Sequence, residues 1–505
     1  MAALAPSVPV AVVGAGTMGA GIAQVAAAAG HRVLLYDAEP SAPPRAKERI
    51  AGALARAVEK ERLTSDERER TLSRITPCES VDALAPAGLV IEAIAEDQAA
   101  KMRLFQTLEV VCPSEAILAS NTSSLSITAL AAALKHPERM VGMHFFNPAP
   151  AMALVEVVRG LASAPEAVET VRATAAAWGK TPVVCCSTPG FIVNRVARPF
   201  YGEALRALAE GASDVATIDA VLRAAGGFRM GPFELIDLIG LDVNLAVSRS
   251  IHGAYSGDPR YTPSLLQEEL VAAGRLGQKS GRGFYDHAPD AERPDPSLAA
   301  PAPPPKLIVV EGDLGLAEPL VERFRAAGIE VNRRWGEGLI RIGNVRLALT
   351  DGRGATEWSH LLQAPVILFD LALDFATCAH IAVARADQAS AGDLAQAVGL
   401  LQAAGMAVSV IGDFPGMLLM RTVCMLANEA ADAVHTGVAS AEAVDQAMCL
   451  GVNYPRGPLA WAEAVGLERV RDALDHLART YGEDRYRASW LLRRKALAKQ
   501  SFLHA

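Results

Sequence analysis

The chain has 505 residues and a formal net charge of −8, with 51% hydrophobic and 21% charged residues. That acidic balance, without a basic block, excludes an electrostatic nucleic-acid-binding surface. No apolar run reaches the roughly 18 residues of a membrane-spanning helix, and the first eight residues lack a signal peptide's basic and apolar regions, so a cytoplasmic protein is expected.

In chain order, residues 10–13 read as a short buried strand leading into Gly14-Ala15-Gly16-Thr17-Met18-Gly19. Residues 20–29 are helix-forming, with Gly30 placed to end the helix. Residues 33–36 form a second strand closing on Asp37. Residues 45–74 are charged, with Ile50, Leu54 and Val58 at helical spacing, which predicts a projecting helical hairpin. Residues 89–95, 117–119 and 140–144 read as buried strands, and 154–158 as an apolar strand carrying one carboxylate, Glu156. This alternation predicts an α/β domain with a doubly wound, Rossmann-like sheet over residues 1–187.

From Gly190 the pattern turns helical, giving an all-α domain over 188–286. Residues 287–305, rich in Pro, Ala and Asp, mark a linker. Strand-like stretches at 307–310, 366–371 and 381–384 predict a reduced Rossmann-like domain over 306–410. A second all-α domain follows over 411–505, because the helical segment repeats. Gly190, Glu203, Asp219, Gly231 and Gly240 return as Gly416, Glu429, Asp445, Gly457 and Gly466, each 226 residues on (416 − 190 = 226). Seven cysteines, none at metal-ligand spacing, predict reduced thiols and no metal centre.

Gly14, Gly16 and Gly19 form G-x-G-x-x-G between a strand and a helix, and the next strand ends in an acid. Gly14 permits the tight turn, Gly16 lets backbone approach a pyrophosphate, and Gly19 allows close helix–strand packing. The helix start supplies N–H groups and partial positive charge for phosphates. Asp37 suits the adenosine ribose hydroxyls and repels a 2′-phosphate, which favours NAD over NADP; the fingerprint alone also admits a flavin. The corresponding turn of the second α/β domain, Glu311 to Gly315, breaks the spacing and puts Asp313 where a pyrophosphate would sit, so no cofactor is expected there.

Two loops follow strands at the sheet's C-terminal edge, one around Ser123 and one at residues 144–148. Oxidising a secondary alcohol needs a base for the hydroxyl proton, and the imidazole of His144 titrates in the right range. Glu156, costly alone in an apolar strand, suits the other ring nitrogen. Ser123 and Asn194 are candidates to hold substrate oxygens.

The segments ASNTSSL (119–125), HFFNP (144–148), LVEVV (154–158), TPGFIVNR (188–195) and GPFELIDLIGLD (231–242) together resemble the 3-hydroxyacyl-CoA dehydrogenase family, over residues 8–286. The resemblance implies His144 as catalytic base, Glu156 as its partner, and Ser123 and Asn194 as substrate-oxygen and nicotinamide-side ligands. It implies the loop Gly14 to Gly19, with Thr17 and Met18, on the cofactor, Asp37 on the ribose, and Glu96, Lys101 and Asn147 near the nicotinamide half. Lys60 falls where the family places a lysine on the CoA phosphates, while a neighbouring serine of that site is Ala53 here. The long arrangement resembles the family's branch serving phenylacetate catabolism, which implies 3-hydroxyadipyl-CoA as substrate and NAD as oxidant. The alternative is 3-hydroxybutyryl-CoA or another fatty 3-hydroxyacyl-CoA. A dicarboxylic substrate calls for a cation near the acyl end, for which Arg198 and Arg229 are candidates.

In the second repeat Asn194 becomes Met420 while Arg195 is kept as Arg421. Methionine cannot replace the amide's hydrogen bonds, so this half reads as structural, packing on the first helical domain as a partner subunit would. A homo-oligomer, a dimer through the helical domains, is expected. Two rival readings are a non-catalytic NAD-binding scaffold, which the His144–Glu156 pair opposes, and a dehydrogenase of the phosphogluconate type, which would use a lysine in place of His144.

Overall fold

A computed structural model describes residues 2–503. The chain up to Arg195 forms one compact unit together with Thr436–Val452; Val196–His435 and the chain from Asn453 onward form another. Each unit is built on one sheet.

The first sheet contains β1 (Val10–Val13), β2 (Val33–Tyr36), β3 (Ile75–Cys78), β4 (Leu89–Glu92), β5 (Ile117–Ser120), β6 (Met140–Phe145), β7 (Leu154–Arg159) and β8 (Thr181–Cys186). Their order is β3-β2-β1-β4-β5-β6-β7-β8. The first six are parallel; β7 runs antiparallel to β6, and β8 parallel to β7. Chain order reverses beside β1, and ligands bind at the carboxyl ends of strands at such a point. The central strands are mostly apolar because helices cover both faces: Val10, Val12, Ile91, Val141, Val155 and Val157 are fully buried. The pattern marks neither β3 nor β8. Each is an edge strand carrying a proline, Pro77 or Pro182, which sheets tolerate at an edge. The charged hairpin comprises the Ala42–Glu59 and Ser65–Ser73 helices. It projects less than expected, since Ala46, Ile50 and Leu54 are buried.

The second sheet holds β9 (Leu307–Glu311), β10 (Glu330–Arg334), β11 (Leu339–Ile342), β12 (Val345–Leu349), β13 (Val366–Phe369), β14 (His380–Arg385) and β15 (Ala407–Ile411), in the order β10-β9-β11-β12-β13-β14-β15. The reduction is in the crossovers. In place of a parallel strand next to β9 stands β11, antiparallel to both neighbours. Its leading loop lies on the glycine turn after β9: the Gly338 N–H donates to Glu311 O at 2.7 Å, and a Cβ on Gly312 would meet Gly336 O at 2.2 Å.

The 226-residue repeat reaches further than the helices. It relates β6 to β13 (366 − 140 = 226), and by the same interval β7 to β14, β8 to β15, and the Pro165–Ala177 helix to Ala391–Ala403. At this register Asp370 stands for His144 and Ala382 for Glu156.

In the second unit the two helical repeats meet through reciprocal contacts. Buried Glu203 accepts from Arg421 Nε (2.7 Å), Arg485 Nη2 (2.7 Å) and the Tyr486 hydroxyl (3.2 Å). Its repeat mate Glu429 accepts from Arg260 Nη1 (3.3 Å) and the Tyr261 hydroxyl (2.5 Å). Arg260-Tyr261 and Arg485-Tyr486 are themselves equivalent, 225 residues apart after a one-residue deletion (485 − 260 = 225). Contact i–j answered by j–i is the signature of an isologous dimer interface, here inside one chain.

Burial would raise the Glu203 carboxyl, but the guanidiniums of Arg485 and Arg421 outweigh it and bring it down to about 2. A depressed carboxylate stabilises the fold above its usual value near 4.5 and loses that contribution as pH falls towards about 2. The melting-temperature gap between wild type and Glu203→Gln should therefore be widest above pH 5 and shrink steadily in acid, as calorimetry across pH would read.

Candidate active site

The site grows from the C-terminal ends of β1, β4, β5 and β6. Register puts His144 of β6 opposite Glu156 of β7. His144 Nδ1 lies 2.6 Å from Glu156 Oε2, with Glu156 fully buried and His144 4% exposed. The other Glu156 oxygen accepts the Ile192 and Val193 N–H groups at 3.1 and 3.0 Å. A left-handed pair, Gly190 (φ +76°) and Phe191 (φ +47°), turns the chain so that both amides point at that oxygen. Phe191 is a non-glycine residue at positive φ, a strained choice that clusters at functional sites. The rings of Phe146 and Phe191 stand 4.6 and 5.8 Å from the imidazole centroid and shield it.

On the open side, Ser123 Oγ sits 3.1 Å from His144 Nε2, and Asn194 Nδ2 donates to Ser123 O at 3.4 Å. The serine loop is held by Glu96. One Glu96 oxygen accepts the Thr122 hydroxyl (2.5 Å), the Ser123 and Ser124 N–H groups (both 3.1 Å) and the Ser124 hydroxyl (2.9 Å). Burial works to raise the Glu96 carboxyl, but Thr122, Lys101 and Ser124 together hold it below its usual range. Lys101 is buried beneath the loop, its Nζ 3.1 Å from Glu96 and 2.6 Å from fully buried Glu92. Glu92 also accepts from the Ser120 hydroxyl at 2.6 Å and the Ile94 N–H at 2.7 Å.

The glycine loop lies against the turn that Glu92 braces. A Cβ on Gly14 (φ +104°) would meet Ala93 O at 2.5 Å, and one on Gly19 would meet Gly14 O at 1.7 Å. At Gly16 it would meet nothing within 4 Å, so that glycine faces open space. No side chain caps the Thr17–Ala28 helix, which leaves its first-turn amides to a ligand. Asp37 accepts the Ala15 N–H at 2.7 Å, which fixes the acid beside the loop. A free helix start, a glycine facing open space and an acid at the end of β2 fit a dinucleotide.

Ser123, His144, Glu156, Asn194, Glu96 and Lys101 thus share one network, and Gly14 to Gly19 with Asp37 form the adjoining cradle. Thr17 is exposed and Met18 half-buried at the helix start; Asn147 is exposed just beyond β6. Lys60 is exposed at the end of the Ala42–Glu59 helix, apart from both groups. Sequence reasoning missed Glu92, although an acid at the end of a buried strand is the signal that picked out Asp37. It also missed Thr122, and Asn121, whose Oδ1 accepts the Phe145 N–H at 2.7 Å. Arg49 was missed too: its Nη2 donates to Ala15 O at 2.7 Å, putting a cation on the glycine loop. No helix among the described residues is long and apolar enough to cross a membrane.

Three family models match. The 3-hydroxyacyl-CoA dehydrogenase NAD binding domain covers residues 9–188. The 3-hydroxyacyl-CoA dehydrogenase C-terminal domain covers 190–287 and again 416–501. A reduced Rossmann-fold domain of 3-hydroxybutyryl-CoA dehydrogenase covers 347–415. The chain is 47% identical over 493 residues, 98% of each chain, to 3-hydroxyadipyl-CoA dehydrogenase of Escherichia coli strain K12. It is 46% identical over 276 residues to a probable 3-hydroxybutyryl-CoA dehydrogenase of Bacillus subtilis, which matches 55% of this chain and 96% of that one. A crystal structure described as 3-hydroxybutyryl-CoA dehydrogenase from Escherichia coli K12 superposes with a TM-score of 0.90 at 46% identity, covering 98% of this chain and 99% of that one. A buried imidazole–carboxylate pair beside a dinucleotide cradle, and matches along the whole length, lead to one conclusion: the chain belongs to the 3-hydroxyacyl-CoA dehydrogenase family, NAD-dependent oxidoreductases acting on a CH–OH group of an acyl-CoA.

Proposed function

We propose that the chain oxidises (3S)-3-hydroxyadipyl-CoA to 3-oxoadipyl-CoA, with His144 as the base. The observation that carries this reading is the continuous relay from Ser123 Oγ through His144 to Glu156 and the Ile192 and Val193 amides. A carboxylate only accepts, so Glu156 fixes the hydrogen on Nδ1 and leaves the Nε2 lone pair facing the serine. Nε2 takes the substrate hydroxyl proton, and Glu156 stabilises the resulting imidazolium. Ser123 and Asn194 orient the substrate oxygen. Bound NAD⁺ would accept the hydride from the same carbon. Glu96 keeps Ser123 in place, and buried Lys101 acts through Glu96 and Glu92 rather than by touching the cofactor. The amides of residues 16–19, Asp37 and Asn147 hold the dinucleotide; exposed Lys60 meets the CoA phosphates.

The adipyl chain is favoured because the relative of that name matches end to end. Arg198 and Arg229 are the candidate cations for its distal carboxylate. In a panel of 3-hydroxyacyl-CoA esters with NAD and NADP, kcat/KM should be at least about tenfold higher for the adipyl than for the butyryl ester, and higher with NAD. Equal or better turnover of the butyryl ester would overturn the substrate assignment while leaving the reaction class intact.

The domain plan is 1–187, 188–286, a linker at 287–305, 306–410 and 411–505, the second α/β domain binding no cofactor. The reciprocal Glu203 and Glu429 contacts support the second helical domain as a built-in partner. A homodimer would then need a face other than this one. Seven free cysteines support a cytoplasmic setting.

A further inference from the structure

The segment Thr436–Val452 belongs to the second repeat in sequence but to the first unit in space. The Cys186 N–H at the end of β8 donates to Val438 O at 2.8 Å, and the Ala441–Gly451 helix packs on β7 and β8. The first repeat reciprocates in the second unit: Gly412 N–H donates to Ala212 O at 2.8 Å, and the Val215–Ala224 helix packs on β14. The exchange is symmetrical, but what it touches is not.

Buried Gly451 ends its helix against three side chains. A Cβ there would come within 2.7 Å of Leu154 Cδ2, 3.0 Å of Val193 Cγ2 and 3.6 Å of Phe146 Cε1. Each of these backs the catalytic pair from a different side. The Phe146 ring lies 4.6 Å from the His144 ring. The Val193 N–H donates to Glu156 at 3.0 Å. Leu154 precedes Glu156 by two residues on the same face of β7. The equivalent of Gly451 in the first repeat is Ala225 (451 − 225 = 226), and the sheet it faces carries Asp370 and Ala382 where the catalytic pair would be. A β-carbon is accommodated on the silent side; on the working side that volume is taken by the residues behind His144 and Glu156.

We propose that Gly451, in the half of the chain without catalytic groups, is a positioning residue for the His144–Glu156 pair. The proposal rests on the reading of that pair given above. A side chain at 451 displaces Phe146, Val193 or Leu154, and through them the imidazole and its carboxylate. Binding of the dinucleotide, on β1 and β2, is left alone.

The test uses the full-length protein with Gly451→Val, Gly451→Ala, the double variant Leu154→Ala/Gly451→Val, and Ala225→Val as the symmetry control. Gly451→Val should lower kcat by about tenfold or more, since small misplacements at a reacting centre are costly, with NADH affinity by fluorescence titration unchanged. The pH profile of kcat/KM should move by about half a unit as the environment of His144 changes. Gly451→Ala should lose about two- to threefold in the same direction, which keeps the test alive if the valine variant does not fold. Leu154→Ala should restore most of the loss, and Ala225→Val should leave kcat unchanged. Wild-type kcat and pH profile in every folded Gly451 variant would overturn the proposal. So would parallel losses of kcat and NADH affinity with the pH profile unmoved. Full turnover in His144→Ala would instead sink the underlying reading of the pair, so the two failures are told apart.

Discussion

His144→Ala is expected to lower kcat by a factor of about 10²–10⁴, the range general-base catalysis contributes, while NADH binds as before. The imidazole bridges the substrate-side serine and the buried acid, at 3.1 and 2.6 Å. Without it the base for the hydroxyl proton is gone. The change also strands Glu156 Oε2 in a fully buried position, so a loss of about 1–3 kcal/mol in stability should accompany it. His144→Gln separates the two effects, because its amide can still donate to Glu156 but cannot take a proton near neutral pH. It should recover melting temperature and not turnover. Stopped assays following NADH absorbance, beside fluorescence titration of NADH, read both quantities. If NADH affinity fell in step with turnover, His144 would be part of the cofactor pocket's architecture instead of its chemistry.

Much of this site could be read from residue order because each group sits where local rules are strict. The glycine loop has one geometry that Gly14 and Gly19 can serve, and Cβ atoms there would run into Ala93 O and Gly14 O. His144 and Glu156 stood out because charge in an apolar strand needs a partner, and antiparallel register supplied it. Glu96 and Lys101 entered only through family resemblance; nothing local says that a lysine one helical turn along would bury itself between two acids. Arg49 was invisible for the opposite reason, since an arginine on a charged helix looks solvated whichever way it turns.

The repeat was legible only where its marks survive. The Pro-Gly turns persist because both copies need the same left-handed pair, Gly190–Phe191 and Gly416–Met417. In β13 and β14 the marks are gone although the register is intact. Asp370, at the histidine's position, accepts the Leu418, Leu419 and Met420 N–H groups at 2.9, 2.7 and 3.0 Å. The first two match the amides that Glu156 holds in the first copy. One shorter acid on the neighbouring strand thus keeps the structural half of the pair's work and discards the chemical half. Burial pushes this carboxyl up to about 6 against the pull of those amides, so it is an anchor at a tolerated cost, with no imidazole left to serve.

Ending the chain after residue 290 is the harshest test of why the second half persists. Two things leave with it. Glu203 loses Arg421, Arg485 and Tyr486, and the face of the first helical repeat that they cover is opened to water. The first unit also loses Thr436–Val452, and with it the helix packed behind His144 and Glu156. A monomer of the shortened chain should therefore be inactive or unfolded. Two copies have a remedy, because Arg260 and Tyr261 are the first-repeat equivalents of Arg485 and Tyr486, and each copy can offer them to the other's Glu203. The Bacillus subtilis relative, matched over only 276 residues, is about that length. Specific activity of the truncated protein should then rise with concentration as a dimer forms by sedimentation, whereas that of the intact chain should not. A shortened chain that sediments as a monomer at every concentration, with full activity, would show that the second repeat contributes nothing to the first.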